Sequence, residues 1–253
     1  PPSNSEANLS LLQQQFLHQL ARKTWRFFVK FVGPDDHWLP PDNYQEAPVA
    51  ALAHRTSPTN IGVSLLANLA AMDFGYISVG RLLQRTRDTF STLSQLERFH
   101  GHFLNWYDTL TLQPLLPRYV SSVDSGNLSA YLLTLRAGLR ELPLHATVSP
   151  QLWTSLSFLR RTLEDAVLRA GLKRPWSTEI SFAWQNLREQ MPLDVGPPHD
   201  PISLSSTHHL LQNIALGITE FRVRSPQLEE SEFAGWLRDL EDQCAVHLAD
   251  LVS

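Results

Sequence analysis

The chain has 253 residues, of which 43% are apolar and 18% charged, a composition ordinary for a globular protein. Its formal net charge of −4 supplies no basic field for a nucleic acid or an anionic membrane surface. No apolar run approaches the roughly 18 residues that a membrane-spanning helix needs, and the single cysteine, Cys244, excludes an internal disulfide. Because the chain opens on PPSNSEAN, without an initiator methionine or a signal-peptide pattern, we interpret it as a segment of a longer protein or as a processed chain.

The spacing of apolar residues predicts helices along almost the entire chain. From Leu9 onward, apolar residues recur three and four positions apart until Gly33, where the first helix is expected to stop. A second helix is predicted after Ser57, which has the side chain of an N-cap, with Pro58 as its first residue and Gly75 at its left-handed end.

The same reasoning places the remaining helices. They are predicted to begin at or near Ser78, Ser125, Pro150, Ser177, Ser205 and Ser231. The helix from Ser78 is expected to end near Gly101, and the one from Pro150 at Gly171. No stretch alternates cleanly enough to predict a strand, so the predicted class is all-α.

The character of the loops predicts two parts. In residues 1–142 the loops are short, polar and rich in aromatic side chains, whereas in residues 143–253 they lose that character. We therefore predict a functional surface in the first part and a helical scaffold in the second.

The polar, aromatic loops have the chemistry of a carbohydrate-binding surface. Tryptophan and tyrosine rings stack on the C–H faces of sugars, and planar side chains satisfy hydroxyls that donate and accept at once. The rings are Trp38, Tyr44, Trp106, Tyr107 and Tyr119. The polar partners are Asp42, Asn43, Gln45, Glu46, Arg55, Asn60, Asn105, Asp108, Asp124 and Asn127.

Several of these residues also have simpler explanations. Asp42 and Asn43 follow two prolines and are typical turn residues, and Asn60 fits the capping of a helix start. His100 and His102 have the spacing of a metal chelate, but no carboxylate or cysteine cluster accompanies them, so no metal is predicted. No phosphate-binding or dinucleotide motif appears, and no cofactor is predicted.

Two long stretches resemble a known family. They are WRFFVKFVGPDDHWLPPDNYQEAPVAALAHRTSPTNIGVSLLANLAAMDFGYIS and LERFHGHFLNWYDTLTLQPLLPRYVSSVDSGNLSAYLL. Both resemble the central region of the cyclic β-1,2-glucan synthases, very large proteins of the bacterial inner membrane. In that family a membrane-embedded glucosyltransferase module precedes a glucoamylase-like cyclisation module and a phosphorylase module. The resemblance is close over residues 21 to 140.

The resemblance implies a fold and a location. Glucoamylase-like modules are (α/α)6 toroids of twelve helices, so this chain is expected to form the N-terminal portion of one, incomplete on its own. It implies a place at the cytoplasmic face of the inner membrane, with the downstream glucoamylase-like half and the membrane transferase module of the same polypeptide as partners.

The resemblance also implies a function. The segment is expected to help bind and position a β-1,2-glucan chain for transglycosylation, and to be inactive alone, because the acidic pair that such chemistry requires is expected in the downstream half. Within this chain the weak catalytic candidates are Asp42, Glu46, Asp108 and Asp124. The predicted substrate-binding residues are Asp42, Asn43, Tyr44, Arg55, Asn60, Asn105, Trp106, Tyr107, Asp108, Asp124 and Asn127.

Two other functions stay open at this point. The segment could be a helical structural module that joins neighbouring domains of the same protein without contacting glycan. It could also be a self-contained endo-glucanase, which would need an acid and a base that work without the downstream half.

Overall fold

The computed structural model describes residues 9–144, 148–171, 176–193, 203–228 and 231–252. Helices account for most of these residues, which confirms the predicted all-α class. The α-helices in the described ranges are α1 (Leu11–Phe31), α2 (Pro58–Asp73), α3 (Val79–Leu93), α4 (Ser122–Glu141), α5 (Pro150–Gly171), α6 (Thr178–Gln190), α7 (Leu204–Arg224) and α8 (Glu232–Leu251).

Serine N-caps set the starts of several helices. The side chain of Ser57 accepts a hydrogen bond from the backbone N–H of Asn60, and Ser177 and Ser231 cap α6 and α8 in the same way. Each cap satisfies one of the backbone donors that a helix start leaves unpaired. These starts agree with the sequence prediction because capping is a local property.

One predicted helix start and one predicted helix end were wrong. α4 begins at Ser122 rather than near Ser125, because Ser121 is the residue that caps it. α3 ends at Leu93 rather than near Gly101. Apolar spacing continues to Leu96, which is buried in the core, but the backbone has already left the helix and leads into a hairpin.

The region between α1 and α4 contains short strands that periodicity did not predict. They are β1 (Tyr44–Gln45), β2 (Ala51–Leu52), β3 (Arg55–Thr56), β4 (Arg98–Phe99), β5 (His102–Phe103), β6 (Asn105–Asp108) and β7 (Pro114–Tyr119). β1 pairs with β2 and β4 with β5, while β3, β6 and β7 form a three-stranded antiparallel sheet in that order. Most of these strands have two residues, too few to show an alternating pattern.

Residues 24–146 form one compact unit. Its apolar core gathers α2, α3, α4 and the sheet, with Ile61, Leu65, Tyr107 and Leu135 among its buried members. α2 and α4 approach each other closely at a glycine on α4, since a Cβ atom on Gly138 would lie 2.6 Å from Cδ2 of Leu69.

Residues 1–23 and 147–253 form a second compact unit. Its core is a larger apolar cluster in which helices α5, α6, α7 and α8 take part. Trp184, Phe221 and Phe233 pack there ring against ring, with centroids 5.3 to 6.4 Å apart. Residues 1–23 therefore belong with the C-terminal half of the chain. The functional surface predicted in residues 1–142 and the scaffold predicted in residues 143–253 stay predictions. The toroid also stays a prediction.

Candidate functional site

The three-stranded sheet decides which side chains of the Asn105–Asp108 strand face outward. Asn105 and Tyr107 are buried, whereas Trp106 and Asp108 are partly exposed and mark the outer face of the strand. Arg55 lies directly opposite Asp108 in the ladder between β3 and β6, so it shares that outer face. The sheet thereby brings together three residues that the sequence predicted as substrate-binding.

Arg55 and Trp106 are in direct contact. The guanidinium carbon of Arg55 lies 5.2 Å from the centroid of the Trp106 ring, within the range of a cation–π interaction. The Arg55 side chain remains 52% exposed. We call these two side chains the Arg55–Trp106 surface.

Asp42 holds this surface in place from the loop before β1. Its Oδ2 accepts hydrogen bonds from Nη2 of Arg55 at 2.9 Å and from Nε at 3.2 Å. The same oxygen accepts from Nδ2 of Asn43 at 3.2 Å, and Oδ1 accepts from Nδ2 of Asn60 at 3.3 Å. Asp42 therefore joins its own loop, β3 and the first turn of α2, and its acceptor atoms are engaged within the chain.

Asp108 stabilises its own turn. Its Oδ1 accepts from the backbone N–H groups of Leu110 at 2.9 Å and Thr111 at 2.8 Å, and from the Thr111 hydroxyl at 3.0 Å. Burial works to raise the pKa of Asp108, but the hydrogen bonds from Thr111 and Leu110 and the nearby His54 outweigh it and lower that pKa. Asp108 is thus an ionised carboxylate committed to a turn.

Asp124 lies in the first turn of α4. Burial works to raise its pKa, but hydrogen-bonding side chains of Ser121, Thr59, Ser57 and Asn105 outweigh it and lower that pKa. Two of these neighbours belong to the start of α2, so the first turns of α2 and α4 meet at this carboxylate.

Asn127 adds a second tie between these helix starts. Its Nδ2 donates to the Thr59 hydroxyl oxygen at 3.1 Å. Thr59 thus accepts a hydrogen bond from Asn127 of α4 and lowers the pKa of Asp124 on the same helix.

Tyr107 and Asn105 face the interior. The Tyr107 hydroxyl donates to the carbonyl oxygen of Glu97 at 2.6 Å and accepts from the backbone N–H of Leu104 at 2.7 Å. Burial raises the pKa of Tyr107. Asn105 is 1% exposed. Both residues support the strand from beneath rather than presenting their side chains to solvent.

The other predicted aromatic and loop residues lie in different surroundings. The Tyr44 ring packs against Phe31, with centroids 4.7 Å apart, and beneath the Lys30 ammonium at 4.8 Å. The Trp38 ring lies near the guanidinium groups of Arg81 and Arg85, at 5.9 and 5.5 Å. Asn43, Gln45, Glu46 and Tyr119 are exposed or partly so along the loops and the edge strand.

Sequence reasoning missed a polar network centred on Asp36. Oδ1 of this buried carboxylate lies 2.7 Å from Nδ1 of His54. The same oxygen accepts a hydrogen bond from the Thr109 hydroxyl. Nδ1 of His37 lies 2.9 Å from the Thr109 carbonyl oxygen. The partners lie 18 and 73 residues from Asp36, so no local spacing could have revealed them.

Within the described residues, no group of three or more histidine, cysteine, aspartate or glutamate side chains is arranged to hold a metal ion. His100 and His102 lie on the exposed hairpin of β4 and β5.

Together, the fold and the site define an all-α protein in which polar and aromatic side chains gather around the first turn of α2 and a short sheet. Among known proteins, the chain is 47% identical over 125 residues to cyclic beta-(1,2)-glucan synthase NdvB of Rhizobium meliloti (strain 1021). The aligned part is 49% of this chain and 4% of that protein, so the chain spans a small fraction of the relative's length. No protein-family model matches the chain.

This identity supports the resemblance to cyclic glucan synthases over about half of the chain. Among the described helices, none has both the length and the apolar character required to cross a membrane.

Proposed function

We propose that the chain is a segment of a cyclic β-1,2-glucan synthase in which the Arg55–Trp106 surface binds and positions the glucan chain for cyclisation. The observation that carries the proposal is the contact of the Arg55 guanidinium with the Trp106 ring while Asp42 holds the guanidinium from one side. The similarity to NdvB supplies the identity of the glycan.

The physical basis is preorganisation. A sugar that contacts this surface meets an aromatic ring for its C–H face and a guanidinium whose remaining N–H groups donate to hydroxyl oxygens. Because Asp42 and Trp106 already restrict the Arg55 side chain, less conformational entropy is lost when a ligand binds. The partly exposed ring and the half-exposed guanidinium leave this surface open to a chain that lies across it.

Asp108 and Asp124 do not fit a general acid. A general acid in glycosyl transfer needs a raised pKa, whereas the pKa values of Asp108 and Asp124 are lowered. An ionised carboxylate suits a nucleophile, but Oδ1 of Asp108 is engaged by Leu110 and Thr111. Asp42 has its oxygens engaged by Arg55, Asn43 and Asn60. We therefore propose that the acid and the nucleophile come from the downstream half of the glucoamylase-like module, and that this segment is inactive by itself.

The proposal extends to the surroundings of the segment. The partners would be the downstream glucoamylase-like half and the membrane transferase module of the same polypeptide, at the cytoplasmic face of the bacterial inner membrane. The completed module would be the (α/α)6 toroid, to which α1 to α4 contribute the first helices.

Tryptophan fluorescence during a titration with linear β-1,2-gluco-oligosaccharides tests the proposal. We expect a saturable response that a β-1,4 series does not give. Trp106→Ala should weaken binding by about 30-fold or more, the loss typical when a tryptophan at the centre of an interface is removed.

Phe182→Ala is the matched control, since it removes an exposed aromatic ring from α6 in the other unit. It should bind like the wild type. If folded wild-type protein gives no saturable response, or if Trp106→Ala binds as tightly as the wild type, the proposed glycan site is wrong.

A structural module without glycan contact is the second candidate function. The observation that favours it is the exposure of large apolar side chains on helix faces, Leu12 and Phe16 on α1 and Val123 and Leu133 on α4. Exposed apolar faces of this kind are typical of interaction surfaces. Absence of glycan binding by the folded chain would favour this function.

A further inference from the structure

Asp36 contacts the sheet beside the strand pair that carries the Arg55–Trp106 surface. Its Oδ1 lies 2.7 Å from Nδ1 of His54 and accepts a hydrogen bond from the Thr109 hydroxyl. His54 directly precedes β3, and Thr109 directly follows β6. The backbone N–H of Thr109 donates to the His54 carbonyl oxygen at 3.1 Å. Asp36 therefore holds two residues that face each other across the two strands.

The donors and acceptors of these contacts are mutually consistent. A carboxylate oxygen accepts, so the hydrogen in the contact with Asp36 is carried by Nδ1 of His54. Thr109 is engaged through all three of its polar groups, since Nδ1 of His37 lies 2.9 Å from its carbonyl oxygen. Asp36 is 6% exposed and Thr109 is 0% exposed. Loss of the Asp36 carboxylate would therefore leave a buried hydroxyl without its acceptor, which is costly.

The loop that carries Asp36 is itself held by α3. The next two residues, His37 and Trp38, have left-handed backbone conformations, with φ of 52° and 61°. Such conformations persist in residues other than glycine only where the surroundings determine them. Here the Thr92 hydroxyl donates to the His37 carbonyl oxygen at 2.6 Å, and the Thr89 hydroxyl donates to that of Trp38 at 3.2 Å. Hydrogen bonds from α3 thus determine where the Asp36 carboxylate lies.

The register of β3 on β6 decides where the Arg55 side chain lies. Arg55 pairs with Asp108, and Trp106 lies two residues before Asp108, so the contact of Arg55 with Trp106 is a diagonal cross-strand contact. A slip of one residue would turn the Arg55 side chain to the other face of the sheet. Only two residue pairs join β3 to β6, too few for a pattern of apolar side chains to specify the register.

We propose that Asp36 is a positioning residue, which holds His54 opposite Thr109, fixes the register of β3 on β6, and so keeps the Arg55 guanidinium on the Trp106 ring. The consequence for glucan affinity rests on the proposed function, but the register and the environment of the ring can be measured without glucan.

The first experiment measures both in the absence of any ligand. In Asp36→Ala the backbone amide of Thr109 should exchange its hydrogen about 10- to 100-fold faster, the scale of one hydrogen bond to a charged group. Fluorine NMR of protein that contains 5-fluorotryptophan should show a shifted or broadened Trp106 resonance, which Trp106→Phe identifies by its loss. The amides of Leu65 and Leu135 in the apolar core should keep their protection and report an intact fold.

Asp35→Ala is the matched control, because it makes the same chemical change at an exposed position directly before Asp36. It should leave the Thr109 amide and the Trp106 resonance unchanged. Asp36→Asn keeps an acceptor oxygen, and one oxygen takes both contacts in the structure, so it should restore most of the Thr109 protection. An asparagine variant as perturbed as Asp36→Ala would overturn the role of these hydrogen bonds.

Thr109→Val is the alternative variant if Asp36→Ala does not fold. It removes the hydroxyl that donates to Asp36 at similar volume, and it should move the Trp106 resonance in the same direction. An unmoved Trp106 resonance in whichever of these two variants folds would overturn the proposal.

The second experiment is a double-mutant cycle on affinity for linear β-1,2-gluco-oligosaccharides. Asp36→Ala should weaken binding by about 10- to 100-fold in the wild-type background, the scale of loss caused by small misplacements at a preorganised site. In the Trp106→Ala background it should cost almost nothing more, because the ring against which Arg55 is positioned is already absent.

A residue that contacts the glucan itself would instead add its full loss in both backgrounds. Additive losses would therefore overturn the positioning role while leaving the proposed glycan site intact. If the wild-type chain binds no glucan, the proposed function fails, and the hydrogen exchange and the fluorine spectra alone decide whether Asp36 fixes the register.

Discussion

The two compact units are stabilised by different means. In residues 24–146 polar side chains are buried among the apolar ones, for example Asp36 with Thr109, Arg85 with Asn68, and Tyr107 with the Glu97 carbonyl. In residues 1–23 and 147–253 the interior is a large apolar cluster with aromatic rings packed together, and beside it the buried Arg22 donates to Ser155 and Gln243. The unit of residues 24–146 contains the short strands and the loops between them. The described residues of the other unit are mainly helical.

This difference shows what polar networks contribute. Helices satisfy their own backbone groups, so an apolar face suffices to pack them. Strands of two residues and the loops between them leave backbone and side-chain groups that need partners, and buried polar groups are costly when unpaired. The loops and helix starts that place Arg55, Trp106 and Asp124 are therefore held by hydrogen bonds. The helices of the other unit are held mainly by apolar contacts, with Arg22, Ser155 and Gln243 as a buried polar exception.

The largest expected effect concerns the apolar cluster of residues 1–23 and 147–253. Leu240→Ala on α8 removes a fully buried side chain from that cluster and should lower the free energy of unfolding by about 2 to 5 kcal/mol. Urea denaturation followed by circular dichroism measures the loss. Hydrogen exchange should show the loss of protection concentrated in α7 and α8 rather than in α2 and α4.

Leu216→Ala on α7 is the control for this change, since its side chain is 68% exposed. It should alter the free energy of unfolding by less than about 0.5 kcal/mol. Equal losses in the two variants would show that the cluster is not the main source of stability in its unit.

A smaller effect is expected where α2 packs on α4. Gly62→Ala would bring a Cβ atom into the Tyr131 ring and within 3.1 Å of its Cβ, and should lower the free energy of unfolding by about 1 to 3 kcal/mol. Thermal and urea denaturation both measure this loss.

Gly126→Ala makes the same substitution on α4, where the added Cβ would meet nothing within 4 Å. It should raise stability by about 0.5 to 1 kcal/mol, since alanine favours a helix over glycine. A stabilised Gly62→Ala variant would show that the close approach of α2 and α4 does not limit the packing of this unit.

The same contrast explains how much of the fold could be predicted. Ser57 with Pro58, Ser177 and Ser231 identify helix starts because capping depends on neighbouring residues alone. The strands could not be predicted, since β3 and β6 pair across about 50 residues of chain and each is too short for a pattern. The end of α3 was misplaced because Leu96 keeps its helical spacing while it packs from a loop.

For the site, residue types could be predicted but pairings could not. Arg55, Trp106 and Asp42 were identified by their chemistry, and the structure brings them into contact. Tyr107 was identified by the same reasoning, yet the alternation of the strand turns its ring into the core. Asp36 was missed because a buried carboxylate has no sequence signal when its partners are distant.

The smallest expected effect is a pH dependence of folding stability that differs between the two units. The lowered pKa of Asp108 means that its carboxylate stabilises the fold fully above its ordinary pKa, and that this contribution is lost as the pH falls through the lower native value, below about 4. His18 in the other unit has a pKa lowered by burial and by Arg22. Its neutral form is therefore favoured in the fold, and this contribution is complete above about 6.5 and is lost as the pH falls from there.

Urea midpoints measured from pH 7 to pH 3 should therefore show two windows of loss. His18→Gln should flatten the curve below about pH 6.5, whereas Asp108→Asn should lower the midpoint at pH 7 and reduce the dependence below about pH 4. Asp242 acts in the opposite sense to His18 in the same unit. Burial and the neighbouring Asp239 and Glu241 raise the pKa of Asp242, so its contribution to the stability of the folded state grows as the pH falls. His18→Gln is therefore compared with the wild type at each pH, which cancels the contribution of Asp242. If both variants changed the same pH window, the Asp108 carboxylate that stabilises a turn and the buried His18 imidazole would not be distinct sources of stability in the two units.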